Sequence, residues 1–362
     1  MVNQFFSNIN TIINEKCWQV SNSILGTIRL KFGGAITSNL GRAGFCYAGQ
    51  YDVLIWCQWR LDDGNVSLCS WDNAHEVIMN IVSCLVGDTL TSIEIISPLG
   101  DAVFTFSSGK ILRIFCNEIQ DSDNSLNWSF GLMDDEYYIG LNGKLKKGKR
   151  LGIVPSPVVV PPTTADYEAE NPKIFTNSPP SFKAFDQHVI EEVKEQFKNL
   201  IGKPCHTVNN IDGWILQLDF GGFLKRTSTE KEFTETRKQF CYGGELDVLI
   251  WCVWRLKDFN GAVCSSESTP EQQKEGTKRL IGETVVAADF FPPAWDATIQ
   301  FSSDLTLQIF CNYTHFSEIE TNWFFRNGWK LFCFNRCDDI ERAKIDWDIQ
   351  KSVSLSETFE EK

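Results

Sequence analysis

The segment Tyr51-Asp-Val-Leu-Ile-Trp-Cys-Gln-Trp-Arg-Leu61 returns almost unchanged as Leu246-Asp-Val-Leu-Ile-Trp-Cys-Val-Trp-Arg-Leu256. Residue numbers in the two copies differ by 195, and this offset holds without a gap from Cys46/Cys241 to Trp128/Trp323. Solenoid repeats have periods of about 20 to 50 residues, so this period is far too long for one. The chain is therefore a tandem duplication of a whole domain.

The duplication continues upstream of this segment with a different offset. Residue numbers differ by 188 between Cys17 and Cys205, and between Phe32-Gly-Gly34 and Phe220-Gly-Gly222. Seven of the twelve prolines lie between the copies, a composition typical of an extended tether. We predict four regions: copy one at 1–150, a proline-rich linker at 151–182, copy two at 183–340 and a charged tail at 341–362.

Each copy opens with apolar residues at helical spacing and continues with alternating apolar runs. Phe5 to Ile13 and Val189 to Ile201 show the helical spacing. Period-two runs follow, among them Ile28 to Phe32 and Val53 to Leu61. We therefore predict an α+β fold, in which the N-terminal helix of each copy packs on one mostly antiparallel sheet of about six strands.

The composition is that of an acidic globular protein, with 362 residues, 43% of them hydrophobic, and a net charge of −13. No apolar run reaches the roughly 18 residues that span a bilayer, and the N-terminus lacks the features of a signal peptide. The negative charge makes nucleic acid an unlikely partner. The thirteen cysteines are odd in number and contain no C-x-x-C pair. We therefore expect reduced cysteines in a cytoplasmic protein without a membrane partner.

The repeated segment predicts a strand with two different faces. Side chains alternate across a strand, so Val53, Ile55, Cys57, Trp59 and Leu61 share one face, which we assign to the core. The opposite face combines aromatic, acidic and basic residues. Tryptophan and arginine are frequent anchors of interfaces, so we predict that this face binds a partner. The predicted binding residues are Asp52, Trp56 and Arg60 in copy one, and Asp247, Trp251 and Arg255 in copy two.

Two other interpretations of this face remain open. A helix could cover it, with Arg60 paired to a carboxylate on a neighbouring strand such as Asp101. A Trp-plus-Arg pair could also clamp an anionic ring ligand. The basic run Lys144–Arg150 is interpreted as a solvated edge of the domain.

No motif with a known catalytic spacing is present, and no histidine occupies equivalent positions in both copies. With four histidines and no zinc-type spacing, we expect neither a metal site nor a cofactor. The first hypothesis is a non-catalytic binding protein that holds a protein partner, and the negative charge favours a basic one. The alternatives are a sensor that binds a small anionic, nucleotide-like ligand between the copies, and a cryptic hydrolase with one active copy.

Each copy closes with the same signature, which in copy one is Phe106-Ser-Ser108, Ile114-Phe-Cys-Asn117 and Asn127-Trp128. This signature resembles the C-terminal hairpins of bacterial immunity-type proteins, which are small α+β proteins encoded beside polymorphic toxins. The resemblance covers about 40 residues per copy. It implies a cytoplasmic inhibitor without catalytic activity, often acidic because its toxin is basic. No binding residue is transferred from it.

Overall fold

A computed structural model gives the fold. It describes residues 2–22, 26–38, 46–64, 66–96, 98–117, 126–140, 143–150, 187–211, 215–227, 242–313, 321–327, 330–335, 339–344 and 348–353. The chain divides into two compact units, built mainly from residues 1–183 and 184–362. The predicted linker at 151–182 lies outside the described residues. No helix in the described ranges is long and apolar enough to cross a membrane.

The described residues of copy one form two short helices and eleven strands in two antiparallel sheets. The six-stranded sheet has the order β1-β2-β3-β9-β10-β11, and the five-stranded sheet has the order β5-β4-β8-β7-β6. The elements are α1 Val2–Ile9, β1 Cys17–Asn22, β2 Ile28–Ser38, β3 Cys46–Ile55, β4 Gln58–Asp63, β5 Val66–Ser70, α2 His75–Val82, β6 Leu90–Ile96, β7 Asp101–Phe106, β8 Lys110–Phe115, β9 Leu126–Leu132, β10 Asp135–Gly140 and β11 Leu145–Lys149.

Copy two repeats this plan in its own two sheets. The larger sheet has the order β12-β13-β14-β20-β21-β22, with β23 added to β13, and the smaller sheet has the order β16-β15-β19-β18-β17. The elements are α3 Gln187–Phe197, β12 Cys205–Ile211, β13 Ile215–Thr227, β14 Tyr242–Ile250, β15 Val253–Asp258, β16 Gly261–Ser265, α4 Pro270–Lys278, β17 Val285–Phe291, β18 Asp296–Phe301, β19 Thr306–Phe310, β20 Thr321–Asn327, β21 Lys330–Asn335, β22 Asp339–Lys344 and β23 Asp348–Val353. The predicted tail therefore contains the end of β22 and all of β23.

The repeated segment passes from one sheet into the other. β3 ends at Ile55 in the larger sheet, and β4 begins at Gln58 in the smaller one. At this corner the amides of Trp56 and Cys57 both donate to the carbonyl oxygen of Asn127, at 2.9 and 3.0 Å. Copy two forms the same corner with Trp251, Cys252 and Asn322. The main-chain carbonyl of the repeated asparagine thus fixes the backbone at the position where the chain passes from one sheet to the other.

The core of copy one lies between its two sheets. All five residues of the predicted core face are buried, as expected: Val53, Ile55, Cys57, Trp59 and Leu61. Phe5 of α1 contacts the rings of Trp128 and Tyr137, with centroids 6.1 and 5.8 Å away. The helix therefore covers one part of a core that the two sheets enclose.

The prediction of a helix-on-sheet α+β fold is wrong, because the chain is mostly β. Each copy has two sheets rather than one, and the four helices among the described residues are short. The physical reason lies at Trp56-Cys57, where an apolar run that alternates without interruption belongs to two strands. Sheet packing against sheet buries the apolar faces that a helix was expected to cover.

Candidate functional site

The larger sheet of each copy turns one side to the core, and its other side is called here the outer face. In copy one, Lys31, Asp52, Gly131 and Glu136 pair in register across β2, β3, β9 and β10. These residues alternate with core residues along each strand, so they form one row on the outer face. The predicted residues Asp52 and Asp247 both belong to such rows.

Asp52 is 3% exposed and lies beside two guanidinium groups. Its Oδ2 forms an ion pair with Nη2 of Arg150, and Nε of Arg29 lies 3.8 Å from the same oxygen. Its Oδ1 accepts a hydrogen bond from the amide of Gly49 at 3.2 Å. A buried carboxylate needs such partners because desolvation of the charge is costly.

Arg150 reaches Asp52 from the end of β11 by crossing Gly131. A Cβ atom on Gly131 would lie 3.0 Å from Nε of Arg150, so a side chain there would force the guanidinium to shift. Nη1 of Arg150 also donates to the carbonyl oxygens of Gly49 and Met133, at 2.8 and 3.3 Å. Burial and, to a smaller extent, the positive charge of Arg29 together lower the pKa of Arg150 to about 9. This last residue of the basic run is therefore buried, not solvated.

Copy two builds the same ion pair from a different strand. Arg326 occupies the position equivalent to Gly131 and lies directly opposite Asp247 in the register of β14 and β20. The pair is bidentate, with Nε to Oδ1 at 2.8 Å and Nη2 to Oδ2 at 2.6 Å. Nη2 of Arg326 also approaches the carbonyl oxygen of Gly244 at 3.5 Å, as Arg150 approaches that of Gly49.

The residues around these two pairs differ in charge. Nζ of Lys31 lies 5.3 Å from the ring centroid of Trp18 and donates to Gln19 Oε1 at 2.6 Å. The equivalent residues of copy two are Asp219 and His206. Burial lowers the pKa of His206, and the nearby Asp219 opposes that shift. The outer face of copy one is therefore richer in cations, and that of copy two is richer in carboxylates.

Trp56 and Trp251 lie at the corner between the sheets, and both are half-buried. The ring of Trp251 meets that of Phe324 edge-on, with centroids 4.6 Å apart. The residue equivalent to Phe324 in copy one is Ser129, which is buried and donates to Glu136 Oε1 at 2.8 Å. Each tryptophan therefore has an accessible part, and its neighbours differ between the copies.

Arg60 and Arg255 lie on the smaller sheets and are 1% and 0% exposed. Nε of Arg60 bonds Oδ1 of Asp62 at 2.8 Å, on the same strand. Arg255 donates to Gln308 Oε1 from Nε and Nη2, at 3.2 and 2.5 Å. Because these arginines are buried and belong to other sheets than Asp52 and Asp247, the six predicted residues do not form one surface.

Asp62 is the carboxylate partner of Arg60 that comparison of the two copies missed. Arg113 Nε and Ser67 Oγ also bond its carboxylate, at 2.9 and 2.6 Å. Burial opposes ionisation, but the charges of Arg60 and Arg113 lower the pKa of Asp62. The equivalent residue in copy two is Lys257, so a search for repeated polar residues could not find it. Asp101 is the partner that the sequence suggested for Arg60. Its Oδ1 accepts a hydrogen bond from the amide of Cys116 at 2.7 Å.

The Ser-Ser pair of the closing signature has a structural contact in each copy. The hydroxyl groups of Ser107 and Ser108 both donate to the carboxylate of Asp88. In copy two, Ser302 Oγ donates to Glu283 Oε2 at 2.7 Å. The signature thus joins the β7–β8 and β18–β19 turns to the loop that precedes β6 and β17.

Within the described ranges, no group of three or more His, Cys, Asp or Glu side chains is arranged to hold a metal ion. Comparisons with protein-family models, with curated proteins and with solved structures found no match to this chain. The resemblance to immunity-type proteins therefore stays a prediction from the closing signature.

Proposed function

We propose that this chain is a non-catalytic binding protein, of the inhibitor, immunity or defence-associated kind, that holds a protein partner against its outer faces. The observation that supports this is the contrast between the two copies. Both keep the same corner, core faces and Asp–Arg pair, whereas the side chains around that pair change from Trp18 and Lys31 to His206 and Asp219. Of these four, Lys31 and His206 are half-buried, and Trp18 and Asp219 are buried. A scaffold kept while its surface changes is typical of recognition modules.

The buried ion pairs define the platform, and the residues around them supply the contacts. Arg29 has 39% of its side chain exposed beside Asp52, and Trp56 and Trp251 are accessible at the corner. Aromatic and arginine side chains contribute most of the binding energy in many interfaces. In this proposal the two tryptophans are the anchors, while Arg60 and Arg255 stabilise the fold.

The net charge favours a basic partner. A chain of charge −13 attracts a basic protein at long range, and this increases the association rate more than the final affinity. Arg29 and Lys31 on copy one would then select the orientation, because they repel the basic groups of the partner.

The test begins with native mass spectrometry of tagged protein from its own host cells, followed by affinity measurements on the partner found. Trp56→Ala and Trp251→Ala should each weaken binding by about 2 kcal/mol. Phe259→Ala removes an aromatic ring that is exposed on the β15–β16 turn, so it should leave binding unchanged.

Circular dichroism separates loss of binding from loss of fold. Tryptophan variants that stay folded and bind as tightly as the parent would contradict the proposal. A small mass increment in place of a protein would favour the ligand sensor, and a bare monomer would count against both.

A further inference from the structure

The edge strands of the two smaller sheets each expose one acidic and one apolar residue. These residues belong neither to the cores nor to the outer faces. β6 and β17 occupy equivalent positions at the ends of their sheets. Glu94 and Asp289 are equivalent acidic residues, and Ile96 and Phe291 are equivalent apolar residues two positions later. All four are exposed, with Ile96 at 40% and Phe291 at 50%.

The acidic and the apolar residue lie side by side on each strand. Residues two apart share one side of a strand, and the residue between them points the other way. In copy two that intervening residue is Phe290, which is buried and contacts Phe197 of α3 at 6.1 Å between centroids. Asp289 and Phe291 therefore point away from the core, and the register of β6 with β7 places Glu94 and Ile96 in the same way.

On the outer edge of each strand, backbone hydrogen bonds to other described segments are confined to the first residue. The amide of Leu90 donates to Glu15 O and that of Val285 to Lys203 O, both at 3.0 Å. Beyond them, in the part of the chain that the structure describes, no backbone hydrogen bond reaches the outer edge of 91–95 or 286–291. Such a row of amides and carbonyls is a template for one more strand.

We propose that β6 and β17 are two equivalent acceptor sites for an extended, basic segment of a protein partner, which adds to each sheet as an antiparallel or parallel strand. The backbone would supply the hydrogen bonds, and a lysine or arginine of the segment would lie against Glu94 or Asp289. An apolar residue two positions along would cover Ile96 or Phe291.

Charge separates this occupant from a second copy of the chain. Pairing two β17 edges would bring Asp289 of one chain near Asp289 of the other, and like charges across a strand pair are destabilising. A charge on an edge strand is also a common means of preventing self-association. The same carboxylate attracts a basic segment, and the overall charge of −13 acts in the same direction.

The two sites differ in strength. Val286 of β17 is 53% exposed, and the equivalent residue of β6 is Thr91. The additional apolar surface predicts tighter binding at β17 than at β6. These sites are distinct from the outer faces, so this proposal and the proposed function can fail separately.

The test measures hydrogen–deuterium exchange of the full chain with and without a synthetic peptide that repeats Lys-Thr-Val-Thr, which places lysine and valine two positions apart on one side of the strand. The peptide should slow exchange at 286–291 and, at higher concentration, at 91–95. A peptide with prolines at neighbouring positions loses N–H groups from both edges of the strand, so it should give no protection. Asp289→Lys should raise the peptide concentration that gives half-maximal protection at β17 about tenfold, and should leave the concentration required at β6 unchanged. Glu275→Lys, at an exposed position of α4, is the matched charge control.

Three results would overturn the proposal. The first is unchanged exchange at both edges with the peptide at saturation. The second is a failed control. Equal protection by the proline peptide and the parent peptide would exclude strand addition, and equal protection of the Asp289→Lys chain and the parent chain would exclude the charge contact. The third is protection that rises with protein concentration alone, which would assign the edges to a second copy. None of these results affects the test with Trp56→Ala and Trp251→Ala.

Discussion

Copy one and copy two each pair an aspartate with a buried arginine on the outer face, but they take the arginine from different places. Asp52 pairs with Arg150 from the end of β11, and Asp247 pairs with Arg326 from the facing strand β20. Gly131 of copy one leaves the space that the side chain of Arg150 crosses. The duplication has therefore preserved an interaction in space while the residue that makes it has moved along the sequence.

The largest expected effect is the loss of Arg150. Arg150→Ala would leave Asp52 buried without its closest cation, and removal of one partner of a buried pair costs about 3 to 5 kcal/mol. Arg326→Ala should cost less, because the side chain of Asp247 is 17% exposed and can be hydrated. Urea denaturation, with hydrogen exchange to locate the affected copy, measures both losses.

A double variant shows whether the two pairs are interchangeable. Gly131→Arg combined with Arg150→Ala moves the guanidinium of copy one to the position it has in copy two. It should recover a substantial part of the stability that Arg150→Ala loses, whereas Gly131→Arg alone should be destabilising because the two side chains collide. Equal stability of the double variant and Arg150→Ala would show that the pairs are not equivalent.

The second effect concerns a carboxylate that only copy one has. Asp62 is buried between Arg60 and Arg113, and these charges lower its pKa. A lowered pKa in the folded state adds stability above the unfolded value of about 4, and this stability is lost as the pH falls through the folded value. Copy one should therefore lose protection against exchange before copy two as the pH falls.

Asp62→Asn is the matched control for this acid sensitivity. The amide keeps the size of the side chain but carries no charge, so the variant should be less stable near neutral pH, by about 3 kcal/mol. It should also lose the additional acid sensitivity of copy one. Identical acid profiles for the parent and Asp62→Asn would show that other carboxylates cause it.

The sequence alone could predict the duplication, the N-terminal helices and the core face, because all three depend on repeated apolar residues. It could not predict the two sheets, since Val53 to Leu61 alternates without a break where the chain turns at Trp56-Cys57. Comparison of the two copies identifies Asp52 and Asp247 because both copies have an aspartate there. It cannot identify Arg150 or Asp62, because copy two has different residues at the equivalent positions. The exposed pair Glu94 and Asp289 was detectable only if the two acidic residues were treated as equivalent.

The smallest effect is expected where Trp18 and Lys31 of copy one become His206 and Asp219 in copy two. Burial lowers the pKa of His206, so its neutral form is favoured in the folded state. The folded protein should therefore lose stability as the pH falls from about 6.5 through the lower folded value. His206→Trp should remove that part of the pH dependence, and Trp18→His, which places a histidine beside Lys31, should add one to copy one. Unfolding free energies across this range measure both changes. If both variants match the parent at every pH, protonation of the residue at this position does not contribute to stability.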